Sequence, residues 1–544
     1  MKRKAICMIL ALCIAISCMT FSGFAASAKA AEPAETGAVT DYSPAEKCQD
    51  GNILHCFNWT LNQIKEELPN IAQAGFTSVQ TSPLQGHNGN YQWYWLYQPT
   101  NFYVGNELGS LDDLKSLCRE ADKYGIKIIV DVVANHLAGS NNGSWSGNID
   151  ASLKKQEYFH NQGAMPDETN DRFDITHKNI GMPDLNSENE ALQNIIFAML
   201  TTLKDAGVDG IRWDAAKHIG LPSEGCSFWA KMASVAGLYQ YGEILEAPAN
   251  NSSLTINKAL MKEYTDYINV TDDMYGTNLA KSINSGTVPK TNGNWTKNGI
   301  EQEKLVYWGE SHDSYSNSGS TAWSKNVSQN VIDKTYALVA SRAGAQSLYF
   351  SRPAEKEFSS IAYARKGSTH FTSREVAAVN HFHNAMIGAA ERYATGGGCA
   401  YVLREGGAVI VSPQGSDIDV TVNNTNGMVP EGSYIDEISG STWTVTSTKI
   451  TGHIGSTGIA VFYDAHYNDK ASVIGDVDLD GAVTILDATA IQRHLASLEA
   501  LSEEALKAAD CDGVGAVTIL DATEIQRYLV GLQGENCRVG IPIT

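Results

Sequence analysis

Arg212 and Asp214, within Gly210-Ile211-Arg212-Trp213-Asp214-Ala215-Ala216-Lys217-His218, have the types and spacing that speak most directly of chemistry. Val208 to Trp213 reads as a short strand running into an acid. Side chains on a strand alternate, so an Arg two residues before an Asp shares its face and favours the ionised carboxylate. A positioned, ionised carboxylate is what a covalent glycosidase needs as nucleophile. The same pair would also serve as a structural ion pair at a strand end. Two more acids close strands. In Tyr239-Gln240-Tyr241-Gly242-Glu243-Ile244-Leu245-Glu246, alternation puts Glu243 and Glu246 on opposite faces, so only one can point inward. In Val306-Tyr307-Trp308-Gly309-Glu310-Ser311-His312-Asp313, His312 and Asp313 end the strand. Asp131, Asn135 and His136 end a further one.

A second kind of chemistry is written in the tail. The run from Asp476 to Thr489 recurs from Asp510 to Thr523. Acids at loop positions 1, 3, 5 and 12, with Gly at 6, wrap oxygens around Ca²⁺. The first loop offers Asp476, Asp478, Asp480 and Asp487, the carbonyl of Ala482, and Thr484 through a water. The second offers Asp510, Asp512, Asp521, the carbonyl of Ala516, and Thr518, but Val514 stands at position 5 and cannot ligate.

Acids on separate strands meet only if the strands surround one mouth. From Asn52 short apolar runs alternate with helical ones: strands over 53–59, 76–82, 126–133, 208–213, 238–244, 267–271, 305–309 and 346–350, with helices including 61–74, 111–124 and 191–207. Eight parallel strands close a (β/α)8 barrel whose C-terminal strand ends carry the active site. The fold class is therefore α/β, with the barrel over 45–388. Residues 84–103 read as a long aromatic loop. Residues 137–185 break the rhythm with Asn, Gly and Ser and read as an inserted functional excursion. Residues 389–465 change to antiparallel β character, with a hairpin over 400–411 and strands at 417–422, 442–446 and 459–463. A linker over 466–474 leads to a small helical calcium-binding module over 475–534.

The totals agree. A chain of 544 residues with 43% hydrophobic content makes several domains, and a net charge of −21 makes nucleic acid a poor partner. Residues 1–30 carry Lys2, Arg3 and Lys4, an apolar run, and Ala28-Lys29-Ala30, the pattern of a cleaved secretion signal. No later stretch is apolar enough to insert in a membrane. Past residue 30 the cysteines Cys48, Cys56, Cys118, Cys226, Cys399, Cys511 and Cys537 are odd in number and scattered, which is no disulfide framework, although Cys511 with Cys537 stays open as a pair.

Residues 45–465 resemble the α-amylase family, glycoside hydrolase family 13, and within it the bacillus-type saccharifying α-amylases. The likeness is densest in Tyr94 to Pro99, Gly210 to His218, Gln240 to Leu245 and Ser351-Arg352-Pro353. The resemblance implies Asp214 as nucleophile, Glu243 as general acid/base and Asp313 as the carboxylate that steadies an oxocarbenium-like state. It implies that Arg212 orients Asp214, that His136 and His312 bond sugar hydroxyls, and that Tyr97 stacks on the sugar. Gln98 would line the same subsite, and Lys217 and His218 the leaving-group side. It also implies one structural calcium held by the side chains of Asn135 and Asp184 and the carbonyls of Thr176 and His218. Ser311 replaces the Asn that chloride-dependent members carry, so no chloride dependence is expected. Met182-Pro183-Asp184-Leu185-Asn186 is nearer to the oligoglucosidase and cyclodextrinase version of that motif.

The tail resembles a type I dockerin, which implies a cohesin partner. The helix after each loop carries Ala488, Ile491 and Leu495, then Ala522, Ile525 and Leu529, on one face. Ile485-Leu486 and Ile519-Leu520 fall where dockerins contact cohesin. The combined expectation is a secreted enzyme that cleaves internal α-1,4-glucosidic bonds of starch with retention, attached through a scaffold. Cyclodextrin or pullulan hydrolysis and glucan transfer are the alternatives on the same fold. A non-catalytic starch-binding subunit would lack a catalytic acid, and none is lacking.

Overall fold

The computed structural model describes residues 47–544 except 141–143, 167–168, 246–253, 291–292, 294, 466, 468–472, 480–482, 499, 535, 542 and 544. The targeting segment 1–30, Glu246, and Asp480 and Ala482 of the first tail loop lie outside the described residues.

Eight strands form the centre: β1 Ile53–Cys56, β2 Ser78–Thr81, β3 Lys127–Val133, β4 Gly210–Asp214, β5 Tyr239–Gly242, β6 Asn269–Thr271, β7 Leu305–Trp308 and β8 Gln346–Phe350. Each pairs in parallel with its neighbours in sequence, and β8 returns to β1, so the barrel closes. Seven strands fall inside the expected spans, some a few residues shorter at their ends, and β4 runs one residue further, to Asp214. The helices between them start where short polar side chains cap them. Thr60 and Gln63 make a reciprocal capping box for Leu61–Gln73, whose Leu61, Ile64, Leu68 and Ile71 are buried at helical spacing. Ser110 and Asp113 do the same for Leu111–Asp122.

The aromatic stretch 84–103 is more ordered than its loop reading. Pro99–Asn106 forms an eight-residue strand between Gln85–His87 and Gly109–Ser110. Asn106 braces this small sheet, its amide donating to the carbonyls of Pro83 and Gln85. The excursion is pinned back on the barrel by a bridge between His136 and Asp184 and by the amide of Leu185 donating to the Asn135 carbonyl.

Past the barrel, eight antiparallel strands make two sheets. β9 Glu391–Gly396, β10 Cys399–Arg404, β11 Gly407–Val411 and β16 Ile459–Tyr463 form one. β12 Ile418–Asn423, β13 Gly432–Ile435, β14 Thr442–Val445 and β15 Lys449–Ile454 form the other, with Trp443 stacked on Phe462 between them. β9, β13 and β15 are additions to the sequence reading. Their polar residues hide the alternation that marks the others. Two arginines join this sandwich to the barrel. Arg404 is buried and donates to the carbonyls of Met386, Ala389 and Ser341. Arg342, from the barrel helix side, forks onto Glu391 of β9.

The tail folds around Ile474, Val477, Ala488, Ile491, Ala522, Ile525 and Val539. Its helices are Ile485–Leu495, Glu503–Ala509 and Ile519–Leu529; the middle one is an addition. Leu495 and Leu529, expected on the buried faces, are exposed, because they sit in the last turn of each helix beyond the reach of the core. The module also reaches past residue 534. The amide of Ile474 donates to Ile541 O and that of Gly540 to Ile474 O, so the two ends of the module are clamped together.

Candidate active site

Register puts the charged residues at one level. Asp131 on β3 is paired with Arg212 on β4, and Arg212 with Tyr241 on β5. Trp213 and Gln240 face outward and bond each other at 3.0 Å, so Arg212, Asp214, Tyr241 and Glu243 take the inner face. Tyr241 reaches across to Gln80 of β2, which supports that inner layer.

Arg212 is buried, and its guanidinium reaches three acids. Nη1 donates to Asp214 Oδ1 at 2.8 Å and to Asp131 Oδ1 at 2.9 Å, and Nη2 lies 2.8 Å from Glu243 Oε1. The fork geometry of Arg allows this, and a lysine's single ammonium does not. The other Glu243 oxygen accepts the Ala215 amide at 3.1 Å. Ala215 holds a left-handed backbone, φ 49, which few non-glycine residues adopt and which sets that amide on Glu243. Asp313 accepts from Asn317 Nδ2 at 3.0 Å. Burial, and then the charge on Glu243, push the Asp313 carboxyl well above the usual range. Asp131, buried between Arg212 and the Tyr97 hydroxyl, is also raised by burial.

Tyr97 and His312 stack, with ring centroids 5.1 Å apart and planes 8° from parallel. His136 Nε2 lies 2.9 Å from the Tyr97 carbonyl. Gln98 follows at the end of the short helix Trp93–Tyr97. Lys217 and His218 lie on the turn after β4. The Lys217 amide meets the Glu243 carbonyl at 3.3 Å, and His218 Nδ1 lies 2.9 Å from the Ile175 carbonyl. The turn thereby links the ends of two strands to the excursion. Asp131, Asn317 and Ala215 were not singled out for these roles by the sequence. Register brings in Asp131, whereas Asn317 and Ala215 act through the local turns after β7 and β4.

Burial, then the Arg212 charge, hold the His312 imidazole down at about 3. The native state therefore keeps it neutral, whereas the unfolded chain protonates it near 6.5. Stability from this residue is complete above pH 6.5 and is lost as pH falls toward 3. His312→Gln should flatten the acid-side decline of unfolding free energy by up to about 1.4 kcal/mol per pH unit. Denaturant titrations at pH 7 and 4.5 measure it, and equal slopes in both proteins would contradict it.

The residues expected to hold calcium fit a hard cation. Asp184 Oδ1 is buried without a hydrogen-bond partner, and burial lifts that carboxyl to about 7, as expected of a site built for a cation. Asn135 is buried beside it, and His218 meets the helix Arg172–His177 that carries Thr176. In the tail, carboxylate oxygens of Asp476, Asp478 and Asp487 lie within 4.8 Å of one another, as do those of Asp510, Asp512 and Asp521. Thr484 and Thr518 cap the following helices by accepting the amides of Leu486 and Leu520.

Residues 58–282 match the family described as alpha amylase, catalytic domain. The chain carries an α-amylase family catalytic domain. Residues 474–530 match the dockerin type I domain. An α-amylase of Clostridium acetobutylicum is 36% identical over 448 residues, 78% of this chain and 55% of that protein. One of Butyrivibrio fibrisolvens is 29% identical over 479 residues, 76% of this chain and 47% of that one. The chain thus spans about half the length of these relatives. Among solved structures, α-amylase I of Eisenia fetida superposes with a TM-score of 0.62 at 18% identity, covering 76% of this chain and 97% of its own. That likeness is one of fold. Among the described residues, no helix is long and apolar enough to cross a membrane.

Proposed function

We propose that the protein is a secreted α-amylase that hydrolyses internal α-1,4-glucosidic bonds of starch with retention and docks on a cohesin. One observation carries the reading: a single guanidinium at the barrel mouth holds both Asp214 and Glu243. A retaining glycosidase needs one ionised and one protonated carboxyl on either side of the bond. Asp214, tied to Arg212, attacks the anomeric carbon. Glu243 gives the leaving oxygen its proton and then takes one from water. Asp313 steadies the positive charge that develops on the ring. Tyr97 offers its ring to the sugar, and His136 and His312 bond its hydroxyls. Gln98 lines the same subsite, and Lys217 and His218 border the leaving side. Chromatography of products from amylose, pullulan and cyclodextrin tests the reading. A ladder of linear oligosaccharides from amylose supports it, and cyclic products or cleavage confined to pullulan would overturn it.

Calcium held by Asn135, Asp184 and the carbonyls of Thr176 and His218 supplies charge that fixes the excursion against the barrel mouth. Chelation should lower the melting temperature by linkage. Asp184→Ala should lower it in calcium and blunt the response to chelator; a full wild-type response in the variant would remove Asp184 from the site.

The tail loops should fill unequally. Val514 is 70% exposed at position 5 of the second loop, and Arg538 Nη1 lies 3.9 Å from Asp510, where it competes with a cation. Calcium affinity follows charged-ligand count and rigidity. Calorimetry should give two steps, and Val514→Asp should tighten the weaker by about tenfold. Two equally tight sites in the unmodified chain would refute it. Ile485 and Ile519, each 54% exposed, and Leu486 and Leu520, each 61%, offer the apolar contacts to cohesin.

A further inference from the structure

We propose a zinc-binding site at His160, His177 and Glu188, at the edge of the excursion and one hydrogen bond away from Asp184 of the calcium set. One donor atom from each lies within 4.8 Å of the others. The hydrogen bonds around the two imidazoles choose which nitrogen is offered. His160 Nδ1 lies 2.5 Å from Asp184 Oδ2, so Nδ1–H donates to that carboxylate. His177 Nδ1 lies 2.8 Å from Thr176 Oγ1, and that hydroxyl donates its proton to the Arg172 carbonyl at 2.7 Å. Thr176 therefore accepts from His177 Nδ1–H. His177 Nε2 is then the nitrogen offered, and His160 Nε2 lies 2.6 Å from Glu188 Oε2, where zinc would take the place of the proton held between them. A carboxylate holding the far nitrogen of a ligating imidazole is the usual support of such a ligand.

Two imidazoles, one carboxylate and an open position suit zinc, whereas calcium prefers oxygens. Zn–N bonds of about 2.0–2.1 Å require donors roughly 3.3 Å apart, so small side-chain rotations complete the site. The ring centroids lie 4.4 Å apart; the His160 side chain is only 6% exposed, and Glu188, at 28%, gives an ion access. His177 belongs to the helix Arg172–His177, and Glu188 directly precedes the barrel helix Glu190–Asp205. A bound ion would join the excursion to the barrel through His177 and Glu188.

The test is zinc titration of the full chain in saturating calcium, read by calorimetry and melting temperature. One equivalent is expected to bind at micromolar level or tighter and to raise the melting temperature. His177→Ala and Glu188→Gln should each weaken that binding at least a hundredfold, with the zinc-free melting temperature of Glu188→Gln near wild type. Cobalt in place of zinc should show the visible absorption of a four-coordinate ion. Binding no tighter than millimolar, equal binding in both variants, or displacement of zinc by equimolar calcium would overturn the proposal.

Discussion

Asp214→Asn should lower kcat by about 10⁴-fold or more while starch binding survives, because the variant keeps its size but has no nucleophilic charge. Glu243→Gln should lose a similar factor on starch and much less on substrates whose leaving group needs no proton. Both variants should fold, since Arg212 keeps Asp131 and one other carboxylate as partners. Proton NMR of the fresh wild-type product should show the α-anomer first. An initial β-anomer would exclude retention, and a near-wild-type Asp214→Asn would exclude the assigned nucleophile.

Arg212 should be the costliest single position. Arg212→Leu leaves the carboxylates of Asp131, Asp214 and Glu243 gathered without their cation, and breaking a buried pair this way costs about 3–5 kcal/mol. Activity should vanish with it. Arg212→Lys separates the two effects. One ammonium keeps the charge but cannot reach three acids with two arms, so stability should recover more than kcat does. Denaturant unfolding beside kcat gives the comparison. If Lys restored both in full, the fork would be irrelevant and only the charge would count.

Much of this was legible because a barrel strand advertises itself. β3 is a run of Ile and Val, and β4, β5 and β7 each run into a charged residue at the mouth. Alternation put Glu243 and Glu246 on opposite faces, and Glu243 takes the inner one. What stayed hidden depends on register or on chance meetings of distant loops. Asp131 lies 81 residues from Arg212, and only strand pairing sets them side by side. His160, His177 and Glu188 have no spacing that marks a site, because three separate turns deliver them. Pro99–Asn106 was read as loop because Pro99 and Gly105 are turn residues in most settings, and here Pro99 merely begins the strand. Leu495 and Leu529 obey the helical period, yet period says which face a residue takes and not whether the core extends that far.

The two arginines between barrel and sandwich bear on how this enzyme can be recombined. Arg404 has no aqueous alternative where it lies, and it takes carbonyls from both the last barrel helix region and the helix before β8. Cutting the chain after the barrel would strand those carbonyls and leave Arg342 facing solvent in place of Glu391. The sandwich is thus no detachable accessory. Calorimetry should find barrel and sandwich melting in one transition, and gene fusions that exchange catalytic parts should carry both across a junction placed beyond Tyr463.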